Sequence, residues 1–146
     1  MIKSYEKVLT KNDTGETGGH QGGVAVPRKN IELLDFFPSL NPNEFNPDTW
    51  ITCLDPDGDT WKMRYIYYNG KTFLPPKSTR NEYRITHMTK FFTKWGAKSG
   101  DSVIFTSAGR PTIFKIQIKR YEKTVLEKTG STVPKPVKLR GWRAYH

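Results

Sequence analysis

The sequence predicts a mainly β domain, a barrel or sandwich of six or seven short strands with two short helices. Three observations lead there. Segments dense in Val, Ile, Tyr, Trp, Phe and Thr recur along the chain. Turn residues separate them at short intervals. The two segments with helical spacing are too short for a bundle or a coiled coil. A chain of 146 residues fits one domain and can bury a core.

The elements follow in order. Residues 4–10 (SYEKVLT) alternate loosely as a first strand, and 23–27 (GVAVP) form a short apolar one. Residues 30–37 (NIELLDFF) read as a helix with Asn30 as its cap and Pro38 as its stop. Residues 50–54 (WITCL) and 61–68 (WKMRYIYY) are strands, and Asp55-Pro-Asp-Gly-Asp between them makes a hairpin. Asn69-Gly70 is the strongest short turn signal in the chain. A second short helix is expected within 86–95, ended by Gly96. Residues 102–106 (SVIFT) and 112–118 (TIFKIQI) pair across Ser-Ala-Gly-Arg-Pro. The domain is expected to end at residue 127. Residues 128–146 are basic and contain Gly130, Pro134 and Pro136. They read either as a linker or as an arm that lies on DNA.

Charge narrows the function. The chain carries a net +10, which favours a polyanionic partner, and its distribution is uneven. Residues 30–60 hold seven acids and no Lys or Arg, while 61–98 hold nine Lys or Arg against the single acid Glu82. This asymmetry suggests a basic face opposite an acidic one, and a basic face steers toward nucleic acid. No basic amphipathic helix favours a membrane surface. No apolar stretch approaches the ~20 residues of a membrane span, and the first ten residues have no signal-peptide core. Cys53 is the only cysteine. An internal disulfide and a multi-cysteine zinc site are therefore excluded, and a reducing cytosol suits the chain.

Three segments could carry chemistry. Residues 11–23 (KNDTGETGGHQGG) contain five glycines in thirteen residues. Glycine lets a backbone approach a partner closely, and Asn12, Asp13, Thr14, His20 and Gln21 offer hydrogen-bonding groups. No Gly-Lys-Ser/Thr follows, so this is not a phosphate-binding P-loop; a plain flexible loop would have the same composition. Residues 77–86 (KSTRNEYRIT) mix Arg80, Asn81, Glu82 and Arg84. Arginine reads guanine, asparagine reads adenine, and glutamate accepts from cytosine; a solvated turn with local salt bridges is the other reading. The acids of 55–59 resemble a calcium loop, but the glycine is misplaced and the twelfth position is Ile66. A hairpin turn explains them better.

Catalytic patterns are missing. No Asp or Glu has Lys at the second position after it, the spacing of common metal-dependent nucleases. His20, His87 and His146 are scattered, without metal-ligand spacing. Cys53 lies in an apolar strand and reads as core.

The two loops also carry a resemblance. Residues 12–22 (NDTGETGGHQG), followed by an apolar strand ending at Pro27, resemble the N-terminal effector domain of EcoRII-type restriction endonucleases. So do 37–41 (FPSLN), 67–69 (YYN) and above all 79–86 (TRNEYRIT). These pieces occur in the family's order, over roughly residues 5–120. Residues 57–67 (DGDTWKMRYIY), then Phe92 to Trp95, then 99–105 (SGDSVIF), are similar to the plant B-three type of DNA-binding domain. The resemblance implies a seven-stranded open β-barrel, a DNA-binding pseudobarrel, with two short helices.

It also implies a mechanism, in which two loops grip the major groove of duplex DNA like jaws. His20 in the first jaw, and Arg80, Asn81, Glu82 and Arg84 in the second, would be base readers. Tyr83 is grouped with them, although it stands where the family has a lysine. Asn12, Asp13, Thr14, Gly15, Thr17, Gly18, Gly19 and Gln21 complete the first jaw. Lys11, Lys77, Lys94 and Lys98 are candidate phosphate contacts, from charge and location. The implied target is a short near-palindromic site such as CCWGG. The implied role is that of a non-catalytic effector domain in a prokaryotic cytosol, with no cofactor or metal of its own. Its partner would be a C-terminal nuclease domain of the same protein, where Mg2+ belongs. A stand-alone B-three-like transcription regulator, a complete nuclease with an unfamiliar site, and a single-strand or RNA binder are the alternatives.

Overall fold

A computed structural model describes residues 2–16, 22–76, 80–121 and 141–146 of the chain. Twelve short elements follow one another: β1 (Ser4–Val8), α1 (Lys11–Thr14), β2 (Val24–Val26), α2 (Ile31–Phe36), β3 (Asp48–Leu54), β4 (Thr60–Tyr68), α3 (Gly70–Phe73), β5 (Glu82–Thr86), α4 (Thr89–Trp95), β6 (Ser102–Arg110), β7 (Ile113–Lys119) and β8 (Trp142–Ala144). The eight strands form one sheet in the order β2-β5-β4-β3-β7-β6-β1-β8. All neighbours are antiparallel except β3 and β7.

The mainly β barrel expected from the sequence is what forms, with eight described strands instead of seven and four short helices instead of two. The 55–59 turn does close the β3–β4 hairpin, with Asp55 N–H bonded to Asp59 O at 2.9 Å and Gly58 in the left-handed region at φ 85°. Asn30 caps α2 through Oδ1, which accepts from Leu33 N–H at 3.1 Å. Gly96 ends α4 at φ 60°. The Asn69-Gly70 signal has a different outcome. Asn69 is buried, and α3 begins at Gly70. Its side chain and that of Asn46 each bond the other's backbone: Asn46 N–H donates to Asn69 Oδ1 at 2.8 Å, and Asn69 N–H to Asn46 Oδ1 at 3.1 Å. The turn residues therefore dock the 41–46 segment and do not reverse a hairpin.

The core is aromatic. Phe37 packs against Tyr65, Phe105, Phe114 and Trp142, with ring centroids 5.2–5.9 Å apart. Such contacts add to the area buried by each ring. Cys53 is fully buried in β3, and burial pushes its thiol up to about 12, so it is core and inert.

Trp142 corrects the expected domain boundary. The sequence reading placed residues 128–146 outside the barrel, as linker or arm. Residues 142–144 instead pair with β1, Trp142 is 1% exposed, and its indole N–H donates to Ala25 O in β2 at 2.7 Å. This one side-chain bond links the two end strands of the curled sheet, which do not pair with each other, so the barrel stays open. Residues 128–140 lie outside the described residues.

The β2–β5 pair places the two candidate loops. Its register is Val24↔Ile85, Ala25↔Arg84 and Val26↔Tyr83. The 11–23 loop enters β2 beside Thr86, and the 77–81 segment enters β5 at the other end. At ~3.3 Å per strand residue, the five steps from Asn81 to Thr86 set the two loop roots roughly 17 Å apart.

Candidate nucleic-acid interface

The first loop rises from a tightly built root. Thr10 caps α1 by accepting Asp13 N–H at 3.2 Å, and Asp13 returns the bond by accepting Thr10 N–H at 3.0 Å. This reciprocal box satisfies two otherwise unpaired donors. Gly15 then stops the helix at φ 80°. The buried Asp13 carboxylate also pairs with Lys7 Nζ at 2.7 Å, and Lys7 bonds Val8 O at 2.9 Å. The far side of the loop is fixed as well. Gly23 N–H donates to Asp13 O at 2.9 Å, Gly22 N–H donates to Thr89 Oγ1 at 2.7 Å, and Met88 N–H donates to Gly22 O at 3.2 Å. A Cβ on Gly23 would stand 2.4 Å from Ile85 O, so this glycine is a close approach of two backbones.

Lys11 and Asn12 are exposed on α1. Thr14 Oγ1 donates to Glu16 Oε2 at 2.9 Å, and Ser99 N–H reaches the same oxygen at 3.2 Å. Lys98, exposed and next to Ser99, therefore stands beside the first loop. Asp13, assigned to the interface from sequence, is instead its pedestal: burial and the Lys7 pair use its carboxylate. Thr17, Gly18, Gly19, His20 and Gln21 lie outside the described residues, as does Lys77 in the second loop.

The second loop is partly strand. Glu82–Thr86 is β5, so its side chains alternate between faces. Glu82 and Arg84 share the outer face and pair at 2.9 Å through Arg84 Nη1. Tyr83 points the other way. Its ring stacks on Tyr67 at 4.2 Å and on Tyr65 at 5.8 Å, packed against the core. Burial, then the neighbouring Tyr67 hydroxyl, raises its pKa, and Arg28 opposes the rise. The grouping of Tyr83 with the base readers is corrected on this geometry. Arg80 is exposed. Asn81 Nδ2 donates to Thr72 Oγ1 in α3 at 2.9 Å, while Asn81 Oδ1 is buried and unpartnered among the described residues. A groove of 560 Å3 runs between Asn81 and Glu82 on one side and the 27–30 turn on the other.

Lys94 does not stand with the phosphate candidates. Its ammonium is surrounded by Asp55, Asp59 and Asp57 at 2.6, 2.7 and 3.1 Å, and it lies 4.9 Å from the centroid of the Trp95 ring. The Trp61 and Trp95 indoles donate to the same Asp55 oxygen at 3.0 and 3.2 Å. Burial alone would raise the Asp55 carboxyl. The bonds from Lys94, Trp61 and Trp95 outweigh it and hold that carboxyl well below the usual range. Burial alone would lower Lys94, but its bonds to Asp55, Asp59 and Asp57 outweigh that and raise it. The three acids form an internal clip between the hairpin turn and α4, which fits the hairpin reading of 55–59. Among the described residues, no cluster of His, Cys, Asp and Glu could hold a metal ion.

The residues that sequence reasoning missed are supports: Lys7, Thr72, Thr89 and Ser99. Thr10-x-x-Asp13 is a capping-box pattern, a local signal that marks Asp13 as structural; the four supports left none, because each acts through a contact with a segment outside its own element.

A curled sheet whose end strands do not pair, with two polar loops at opposite ends of one strand pair, is the open pseudobarrel architecture. Two solved structures share it. An Arabidopsis FUS3-DNA complex matches at TM-score 0.58 and 20% identity, covering 80% of this chain and 96% of that one. A hypothetical Arabidopsis thaliana protein matches at TM-score 0.52 and 12% identity, covering 84% and 94%. Residues 1–110 match the family model for the N-terminal region of restriction endonuclease EcoRII, and the chain belongs to that family. It is 45% identical over 85 residues to the type II restriction enzyme EcoRII of Escherichia coli, 56% of this chain and 20% of that protein. It is 31% identical over 110 residues to auxin response factor 13 of Oryza sativa subsp. japonica, 75% of this chain and 18% of that protein. The chain therefore spans about a fifth of the length of these curated relatives.

Proposed function

We propose that this chain binds double-stranded DNA sequence-specifically, as the effector domain of an EcoRII-like type II restriction endonuclease. The observation that carries the reading is the placement of the two loops. They rise at opposite ends of β2–β5, roughly 17 Å apart by strand geometry, and between them the outer face presents Glu82 and Arg84. A major groove is about 12 Å wide, so loops with this separation can stand on either side of the base edges they read. Arg80 and Arg84 serve as guanine readers, Glu82 as an acceptor for cytosine, and Asn81, whose Oδ1 has no partner among the described residues, as an adenine reader. Lys11 and Lys98 flank the first loop and contact phosphates, which positions the duplex without reading it. His20 contributes from the first loop and Lys77 from the second.

The target follows the family's short near-palindromic pattern, CCWGG or a variant of it. The chemistry of cleavage, with its Mg2+, belongs to a nuclease domain elsewhere in the full protein. The match to a plant auxin response factor keeps a second reading in view, a B-three-like regulator that binds DNA without any nuclease.

Selection of bound duplexes from a random pool tests the proposal. Recovery of one short motif is expected, and Glu82→Ala should flatten the preference for it over scrambled DNA by about tenfold, a loss within the ~1–3 kcal/mol of one base contact. A pool that yields no motif, or an unchanged preference in Glu82→Ala, overturns the assignment. Co-expression with the neighbouring gene segment separates the nuclease reading from the regulator reading.

A further inference from the structure

We infer that the duplex is held beyond the two loops, along a phosphate track on the outer face of β3 and β4 formed by Arg64 and Lys62, with Trp50 and His87 at its edge. The inference rests on the DNA-binding reading above and extends its footprint.

The register fixes which side chains share the face. Arg84 of β5 is opposite Ile66 of β4, and Thr86 is opposite Arg64. Arg64 is in turn opposite Trp50 of β3, and Lys62 is opposite Thr52. Paired residues project to the same side of a sheet, and so do residues two apart. Arg64, Lys62 and Trp50 therefore stand on the face that carries Glu82 and Arg84, displaced sideways by one or two strands. Strands lie ~4.8 Å apart, so the track begins about 5 Å from the Arg84 row and ends about 10 Å from it.

Its chemistry suits a phosphodiester backbone. Arg64 gives its Nε to Asp48 at 2.6 Å. This bond orients the guanidinium, and its terminal amino groups have no partner among the described residues, the arrangement that lets arginine meet phosphate with paired donors. Lys62 Nζ bonds only Thr52 Oγ1 among the described residues, at 2.6 Å. Trp50 is 48% exposed on a central strand, a large ring that the protein itself leaves uncovered. His87 packs against it edge-on, with centroids 4.9 Å apart, and bonds Thr86 Oγ1 through Nδ1 at 2.9 Å. The backbone of His87 is at φ 64°, a left-handed conformation that a residue with a side chain adopts only at a cost. That conformation follows directly after β5 and sets the imidazole beside Trp50. The acids of the 55–59 turn bound the track at the hairpin end, since a phosphate would be repelled there.

Binding by two duplexes tests this, one just long enough for the site gripped by the loops and one extended by about one helical turn on each side. The wild-type chain is expected to bind the longer duplex more tightly. Arg64→Ala with Lys62→Ala should weaken the longer duplex about tenfold and lower the slope of log affinity against log salt by about two, from ~0.9 per phosphate contact. The short duplex and the ratio of cognate to scrambled binding should not change. Lys62→Gln alone, at an exposed position, should lower the slope by about one and serves if the double variant does not fold.

Equal losses on both duplexes, or an unchanged slope, overturn the track. Preferential competition by a single strand, abolished in Trp50→Ala, overturns it in favour of base stacking. If the wild type selects a motif while the track variants behave as wild type, the loops are right and the track is wrong. If it binds no duplex, both readings fall together.

Discussion

The two loops that flank β2–β5 are built in opposite ways. The root of the first is closed on itself and on the core: a capping box, a buried ion pair, and three backbone or hydroxyl bonds fix both of its ends. Its buried charged residue at the root, Asp13, serves the fold. The second is the running end of a strand, and its charges, Arg80, Glu82 and Arg84, are exposed or half-buried on the outer face. Charge in a loop therefore does not by itself mark an interface. What distinguishes the two cases is burial: the Asp13–Lys7 pair is buried, whereas Glu82 and Arg84 pair with each other on the outer face and Arg80 is exposed.

Substitution at Asp13 probes that contrast with the largest expected effect. Asp13→Ala removes one member of a buried pair, strands Lys7 as an unpaired charge and opens the capping box. Breaking such a pair costs about 3 kcal/mol or more, and losing a cap about 1 kcal/mol. A loss of unfolding free energy of that size, read as a lower midpoint, is expected in a urea melt of the whole chain. A loss under about 0.5 kcal/mol would mean that the first loop is no more anchored than the second.

The largest effect of acid should fall on the clip at the turn of the β3–β4 hairpin. The folded Asp55 carboxyl is depressed below its ordinary 3.8. A depressed carboxyl stabilises the fold above its unfolded value, and that contribution fades as pH falls through the folded value. Lys94 is raised above its ordinary 10.5, so its part is present below that value and fades only as pH rises beyond it. Stability from the clip should therefore be flat from about pH 5 to 9 and decline below about pH 4. Asp55→Asn should flatten the acid limb of a stability-against-pH curve. An unchanged limb would place the acid lability elsewhere.

The barrel was legible in the sequence because its strands announce themselves locally. Six of the eight described strands coincide with β-rich runs, and the hairpin at 55–59 and the stops at Pro38 and Gly96 are local chemistry. The misses have a common cause. β5 lay hidden in the charged stretch 77–86, because its outer residues face solvent and its inner Tyr83 reads as polar. β8 was masked by the Pro- and Gly-bearing stretch before it, and only its pairing with β1 and the curl of the sheet give Trp142 a place to go. Lys94 looked like an interface cation because its three carboxylates lie more than thirty positions earlier. The loops themselves were legible as unusual composition, but their separation, their supports and the face they share depend on long-range pairing.

Arg80 gives the smallest expected change in stability and the sharpest test of the contrast. It is exposed, and no ion pair or hydrogen bond holds its side chain among the described residues. Surface substitutions of that kind move stability by less than about 0.5 kcal/mol. Arg80→Ala should therefore melt like the wild type within that margin, while losing about tenfold or more in its preference for the selected duplex. The first loop predicts the reverse pattern at its root, where Asp13→Ala costs stability before it costs recognition. If Arg80→Ala destabilised the fold as much as Asp13→Ala, the guanidinium would be a structural group like the Asp13 carboxylate. The second loop would then lose its claim to hold unspent charge, and the base-reading role would have to move to the strand residue Arg84 and its partner Glu82.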